Sequence, residues 1–181
     1  VDLRTGNTPR LRTRVHLAST RNGNLFLGLH CDEPDMKHLA VTTEENDDSA
    51  IRKGDFIDIL IETQTHSYYQ ITLNPAGAIM DVDHRSGKKP NLQWQSNAEV
   101  AVHHCDGFWT AEIRLPCAGP MAEEIDPDDG ISGRVPTKTY PWHINVGRQR
   151  VRGKDIELSA WSPTGSDRFD IPEKFAMLYT K

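Results

Sequence analysis

Cysteine is scarce in this sequence, and its three copies, Cys31, Cys105 and Cys117, lie far apart. An odd count without a CxxC pair argues against a zinc knot or a disulfide framework. One disulfide plus one free thiol stays open, and Cys31 is expected to be a small buried side chain at a strand end. A basic surplus is also missing: 21 Lys and Arg face 26 Asp and Glu, a net charge of −5. Nucleic acid, whose phosphates must be neutralised by a basic face, is thereby disfavoured. No run approaches the roughly 20 apolar residues that span a bilayer. The opening VDLRTGNTPRL has no charged-then-apolar leader, so it reads as the start of a processed protein or of an excised piece. Catalytic signatures are absent as well. There is no glycine-rich phosphate loop, GxSxG elbow, HExxH or CxxCH.

What remains is a chain of 181 residues, 36% hydrophobic, rich in turn formers and short alternating runs. Leu11, Thr13, Val15 and Leu17 alternate with Arg12, Arg14 and His16, the period of a half-buried strand. Arg21–Asn24 offers a tight turn, and Leu25–Leu29 returns as the partner strand. Residues Cys31–Gly54 read as a long excursion with one helical turn near Met36–Ala40. Phe56–Glu62 sets Ile57, Ile59 and Ile61 against Phe56, Asp58, Leu60 and Glu62. A turn at Gln64–His66 leads to Tyr68–Asn74, and Pro75–Gly77 turns into Ala78–Val82. Strands follow at Ala98–His104 and Trp109–Leu115, joined by Asp106-Gly107, and later at Trp142–Val146, Ile156–Ala160 and Phe175–Tyr179. Ala118–Tyr140 reads as a loop with one helical turn at Met121–Ile125. About nine or ten strands with very little helix predict an all-β antiparallel sandwich, jelly-roll or immunoglobulin-like, as a single domain over residues 1–181.

Several side chains invite a functional reading. Trp109 and Trp142 open alternating strands and are expected in the core, and Trp161 is expected to plug a turn. Trp94, in Asn91–Gln95, is either a sugar platform or packing under a loop. Arg148, Arg150 and Arg152 offer bidentate donors to an acidic sugar, or else line a solvated edge strand. His103 and His104 point to opposite faces of a strand and cannot easily share a metal. The acidic runs Glu44–Asp48 and Asp126–Asp129 have oxygen donors suited to calcium, which is the one cofactor expectation, although solvated surface is the simpler reading.

The order of the strand motifs resembles the family-9 carbohydrate-binding modules. Asn24-Leu25-Phe26-Leu27, the Gly54–Ile61 strand and the Tyr69–Gly77 hairpin are similar to that family's early strands. Gly107–Pro116, Trp142–Arg148, Trp161–Thr164, Phe169 and Pro172–Leu178 resemble its later ones. The resemblance implies a β-sandwich that binds carbohydrate without catalysis, from a secreted, periplasmic or cell-surface protein that processes polysaccharide, with calcium supporting loops and with neighbouring domains. The resemblance carries over an acid at Asp58 and an amide at Gln70, and with Asn74, Asn145, Arg148, Phe169 and the separately weighed Trp94 these make up the expected ligand-binding set. In the family two tryptophans clamp a terminal sugar. Here Ile51-Arg52-Lys53 stands where the first falls, Phe169 is the aromatic in the segment of the second, and Thr72 replaces an arginine. The alternatives are a structural or interaction sandwich that kept the scaffold alone, a haem-binding relative using Met80 and His84, and a glycan-active enzyme.

Overall fold

The computed structural model describes residues 1–20, 24–64, 67–85, 89–119 and 130–179. Arg21–Gly23, Thr65, His66 and the expected turn at Met121–Ile125 lie outside the described residues. Nine strands of six or more residues build two antiparallel sheets. The smaller has the order β1 (Thr13–Ser19), β2 (Leu25–Asp32), β7 (Phe108–Leu115), β6 (Glu99–Cys105). The larger has the order β11 (Asp155–Ala160), β10 (Trp142–Arg152), β3 (Phe56–Glu62), β4 (Tyr68–Leu73), β5 (Ile79–His84), with β12 (Ala176–Leu178) also on β10. A short parallel pair, β8 (Cys117–Gly119) and β9 (Ile131–Ser132), stands apart. Helix is confined to 3-10 turns at Met36–His38, Ser49–Lys53 and Pro172–Lys174 among the described residues.

The expected sandwich is therefore observed, and its cause is the alternation. Leu25, Leu27, Leu29 and Cys31 of β2 face Ile57, Ile59, Ile61, Ile71 and Ile144 of the larger sheet in one core that spans both layers. Each such aliphatic side chain removed from water contributes roughly 1.5–3 kcal/mol. Trp109 and Trp142 belong to that core, as expected. All three thiols are free, and burial pushes the Cys31 thiol up to about 11, so it behaves as a hydrophobe.

β3 is buried on both faces, which its charged residues disguise. Its second face meets another cluster, in which Leu3, Phe169 and Phe175 cover Phe56 and Leu60. Gly147 of β10 lies opposite Asp58 on that face, and a Cβ there would overlap the Phe169 ring. The glycine thus makes the seat that holds Phe169 against the sheet.

Two expectations need correction. β10 runs on to Arg152 and lies between β3 and β11, so its arginines are not on an edge. Arg148, Arg150 and Arg152 instead continue the inward face and converge on Glu33, which is 0% exposed. Trp161 is not a plug: it is 44% exposed, whereas the other three tryptophans are buried.

Candidate functional site

The outer face of the larger sheet carries the concentration of polar chemistry. Cross-strand register sets Asp58 of β3 beside Thr72 and Gly147, Gln70 beside Leu60 and Val82, and Tyr68 beside His84. Alternation alone puts these side chains on one face, away from the two-layer core. The 3-10 turn at Ser49–Lys53 then presents Arg52 above them. Asp48 caps that turn by accepting from the Ala50 N–H at 2.9 Å, and the Gln149 side chain donates to the carbonyls of Arg52 and Gly54.

The result is a cleft of about 620 Å³ whose lining includes Arg52, Asp58, Gln70, His84, Leu92 and Phe169. A hydrogen-bonded chain runs along its floor. Arg52 Nη2 donates to Thr72 Oγ1 at 3.2 Å, and Thr72 donates to Asp58 Oδ1 at 2.6 Å. Gln70 Nε2 donates to Asp58 Oδ2 at 2.9 Å, and His84 Nε2 lies 2.8 Å from Gln70 Oε1. Because the Gln70 nitrogen is committed to Asp58, its oxygen must accept, which makes His84 Nε2 the protonated nitrogen. The His84 ring stacks on Tyr68 at 4.3 Å, which fixes it from the side.

Burial pushes the Asp58 carboxyl up, and the Arg52 charge with the Thr72 and Gln70 hydrogen bonds opposes it. Arg52 Nη1 stands 3.5 Å from Asp58 Oδ2, and its charge offsets part of the effect of burial. Burial lowers His84, so the ring is held neutral, and it pushes Tyr68 up to about 12. At the rim Arg168 forks onto Asp170, and Leu92 stands 68% exposed. The arrangement offers a buried carboxyl group and amide on the floor, with a neutral imidazole and a partly exposed guanidinium above them. It can hold hydroxyl groups, which both donate and accept.

Of the seven expected ligand-binding residues, Asp58, Gln70 and Phe169 line this cleft. Phe169, 6% exposed and edge-on to Phe56, is wall rather than open platform. The other four are placed elsewhere. Asn74 accepts from the Ala76 and Ala78 N–H groups and so shapes the hairpin turn. Trp94 is 1% exposed, donates to Gly130 O and stacks on Tyr69, which resolves its two readings in favour of packing. Asn145 holds both backbone groups of Ser162, and Arg148 binds Asp32 O and Glu33 inside the sandwich. Sequence reasoning missed Gln149, Leu92 and Asp170, and weighed His84 only as a haem ligand. The signal for His84 was its even spacing from Met80 and Val82, which needs the β4–β5 register to become a site. Among the described residues no group of three or more His, Cys, Asp or Glu side chains is placed to hold a metal ion, and Asp126–Asp129 lies outside them.

No family model matches the chain, and no curated protein matches it. Solved structures do. A family-9 carbohydrate-binding module from Caldicellulosiruptor kristjanssonii, in complex with glucose, superposes with a TM-score of 0.65 at 8% identity. The match covers 99% of this chain and 82% of that one. The fold is that of a family-9 module. A Bacteroides uniformis protein described as a candidate carbohydrate binder superposes with a TM-score of 0.71 at 12% identity, over 92% of this chain and 77% of that one. The chain thus shares its fold with proteins with which it shares few identical residues, as expected where alternation and core volume rather than particular side chains specify a sandwich.

Proposed function

We propose that the chain is a non-catalytic carbohydrate-binding module that holds a sugar in the Asp58 cleft, as part of a secreted protein that processes polysaccharide. The observation that supports this most is the Arg52–Thr72–Asp58–Gln70–His84 chain on the floor of an open cleft. Sugar hydroxyls come in adjacent pairs, and a carboxylate beside a guanidinium offers such a pair one acceptor and one donor at fixed spacing. The chain pre-orders these groups, so little conformational entropy is lost when a ligand arrives. The two structural neighbours, one of them holding glucose, lend the reading further weight.

Recognition here rests on hydrogen bonding more than on stacking. Phe169 is buried in the wall, and the apolar contacts at the mouth come from Leu92 and Pro90. Aromatic stacking contributes on the order of 1–3 kcal/mol per ring where it occurs. A module without that clamp is expected to bind simple sugars weakly and to gain affinity from longer chains that reach Leu92. A glycan array followed by calorimetry on the hits tests the reading. Binding that disappears in Asp58→Ala supports it, and no binding to any plant, algal or bacterial glycan leaves a scaffold that has lost its ligand.

A further inference from the structure

A second cleft lies on the open side of the sandwich, between β1 of the smaller sheet and β10 and β11 of the larger. It encloses about 590 Å³ and is lined by Arg12, Arg14, Val15, Leu17, Val146 and Trp161 among others. Two properties set it apart. It holds the one substantially exposed tryptophan of the four, Trp161 at 44%. It also has three arginines, Arg12, Arg14 and Arg148, in its lining and no Asp or Glu, in a chain whose net charge is −5.

The arginines are not equivalent. Arg148 forms the back of the cleft and is committed to Glu33 and the Asp32 carbonyl. Arg14 has one ion pair, Nη1 to Asp32 at 3.2 Å, which leaves donors over. The Arg12 guanidinium has no partner among the described residues and is exposed. Arg12 and Trp161 line one cleft, which suits it to a ligand with both a planar anion and an apolar face. The carboxylate takes the bidentate donors of Arg12, and the C–H face of the ring lies on Trp161. Val15, Leu17 and Val146 extend the apolar surface beneath.

The charge contrast with the first cleft argues for different ligands. Asp47, Asp58, Asp167 and Asp170 face Arg52 and Arg168 in the Asp58 cleft, which disfavours an anion there. The Trp161 cleft has the reverse balance. We propose that the Trp161 cleft is a second binding site, selective for uronic-acid residues of an anionic glycan. This assignment stands on its own lining and does not depend on sugar binding at Asp58.

The test uses the intact chain and tetragalacturonate as probe, followed by tryptophan fluorescence. Trp94, Trp109 and Trp142 are buried, so acrylamide quenching reports mainly on Trp161. Saturable binding that shields the indole from acrylamide and weakens with added salt is expected. Trp161→Ala and Arg12→Ala should each lower affinity about tenfold, the size of one lost stacking or bidentate contact. Asp58→Ala should leave this binding unchanged, which separates it from the first cleft. Cellotetraose binding equally tightly at Trp161, unaltered affinity in both variants, or no shielding by tetragalacturonate would each overturn the proposal.

Discussion

Replacing Glu33 by Gln removes one negative charge from the most enclosed ion cluster of the fold while keeping nearly the same shape. Glu33 Oε2 lies 2.7 Å from Arg150 Nε, 3.2 Å from Arg148 Nη2 and 2.6 Å from Arg152 Nη2. Asp55 shares the load by accepting from Arg152 Nη1 at 2.7 Å and from the Val151 N–H. Burial alone would raise the Glu33 carboxyl. The hydrogen bonds from Arg150, the Asp35 N–H and Arg152, with the Arg152 charge, outweigh it and hold the group at about 2. An unfolded glutamate takes up its proton near 4.5. The stabilisation is therefore complete above pH 4.5 and is lost as pH falls towards 2. At about 1.4 kcal/mol per pH unit the difference amounts to about 3 kcal/mol. The variant also leaves buried guanidinium groups short of an anion, a loss of about 3–5 kcal/mol in comparable sites. Both routes predict a fall in unfolding free energy at pH 7 of about 3 kcal/mol or more, or about 6–12 °C in Tm for a chain of this size. Urea unfolding of both proteins from pH 7 to pH 3 measures it, and the gap between the two curves should narrow to about half or less by pH 3. A loss under about 1 kcal/mol at pH 7, or parallel curves, would refute the electrostatic account of this cluster.

Gly147→Ala places a methyl group inside the space of the Phe169 ring, so about 1–3 kcal/mol of stability should be lost and glycan affinity should fall with the displaced wall. Chemical denaturation with calorimetry reads both, and a neutral result would mean that Phe169 moves freely. Trp94→Phe deletes the bond to Gly130 O and part of a buried ring, so denaturation should show a loss of about 2–3 kcal/mol. A cost below about 0.5 kcal/mol would contradict its packing role. His84 faces Asp170, Asp83 and Arg52, and burial depresses its proton affinity below the ordinary value of 6.5. Its contribution to stability is thus whole above pH 6.5 and declines below it. His84→Gln should flatten that decline between pH 7 and pH 5 in urea titrations, and an unchanged slope would assign it to other groups.

The parts of this molecule set by local pattern were legible from the amino acids. Ile57, Ile59 and Ile61 announced an inward face, and Asp106-Gly107 announced a hairpin that the structure closes with Gly107 at positive φ. Local pattern was silent on what covers a strand's second face. Nothing near Asp58 in sequence shows that Leu3, Phe169 and Phe175 roof that side of the sheet. The arginine row failed for a related reason. Its partner Glu33 lies more than a hundred residues away, so the spacing of Arg148, Arg150 and Arg152 was equally consistent with an exposed edge. Tryptophan roles were the least legible. Trp94 in a polar loop is buried, and Trp161 in a turn is exposed, because burial of a loop residue depends on what packs across it.

The central claim, a sugar held over the Asp58 carboxylate, is tested most directly by two-dimensional amide spectra of labelled protein titrated with glucose and with cello- and xylo-oligosaccharides. Saturable shifts are expected, confined to the backbone of β3, β4 and β5 around Asp58, Gln70 and His84, together with the Arg52 turn. Asp58→Ala, checked to be folded by the rest of its spectrum, should abolish them. Glycan-induced shifts centred elsewhere on the molecule, or shifts that persist undiminished in Asp58→Ala, would contradict it.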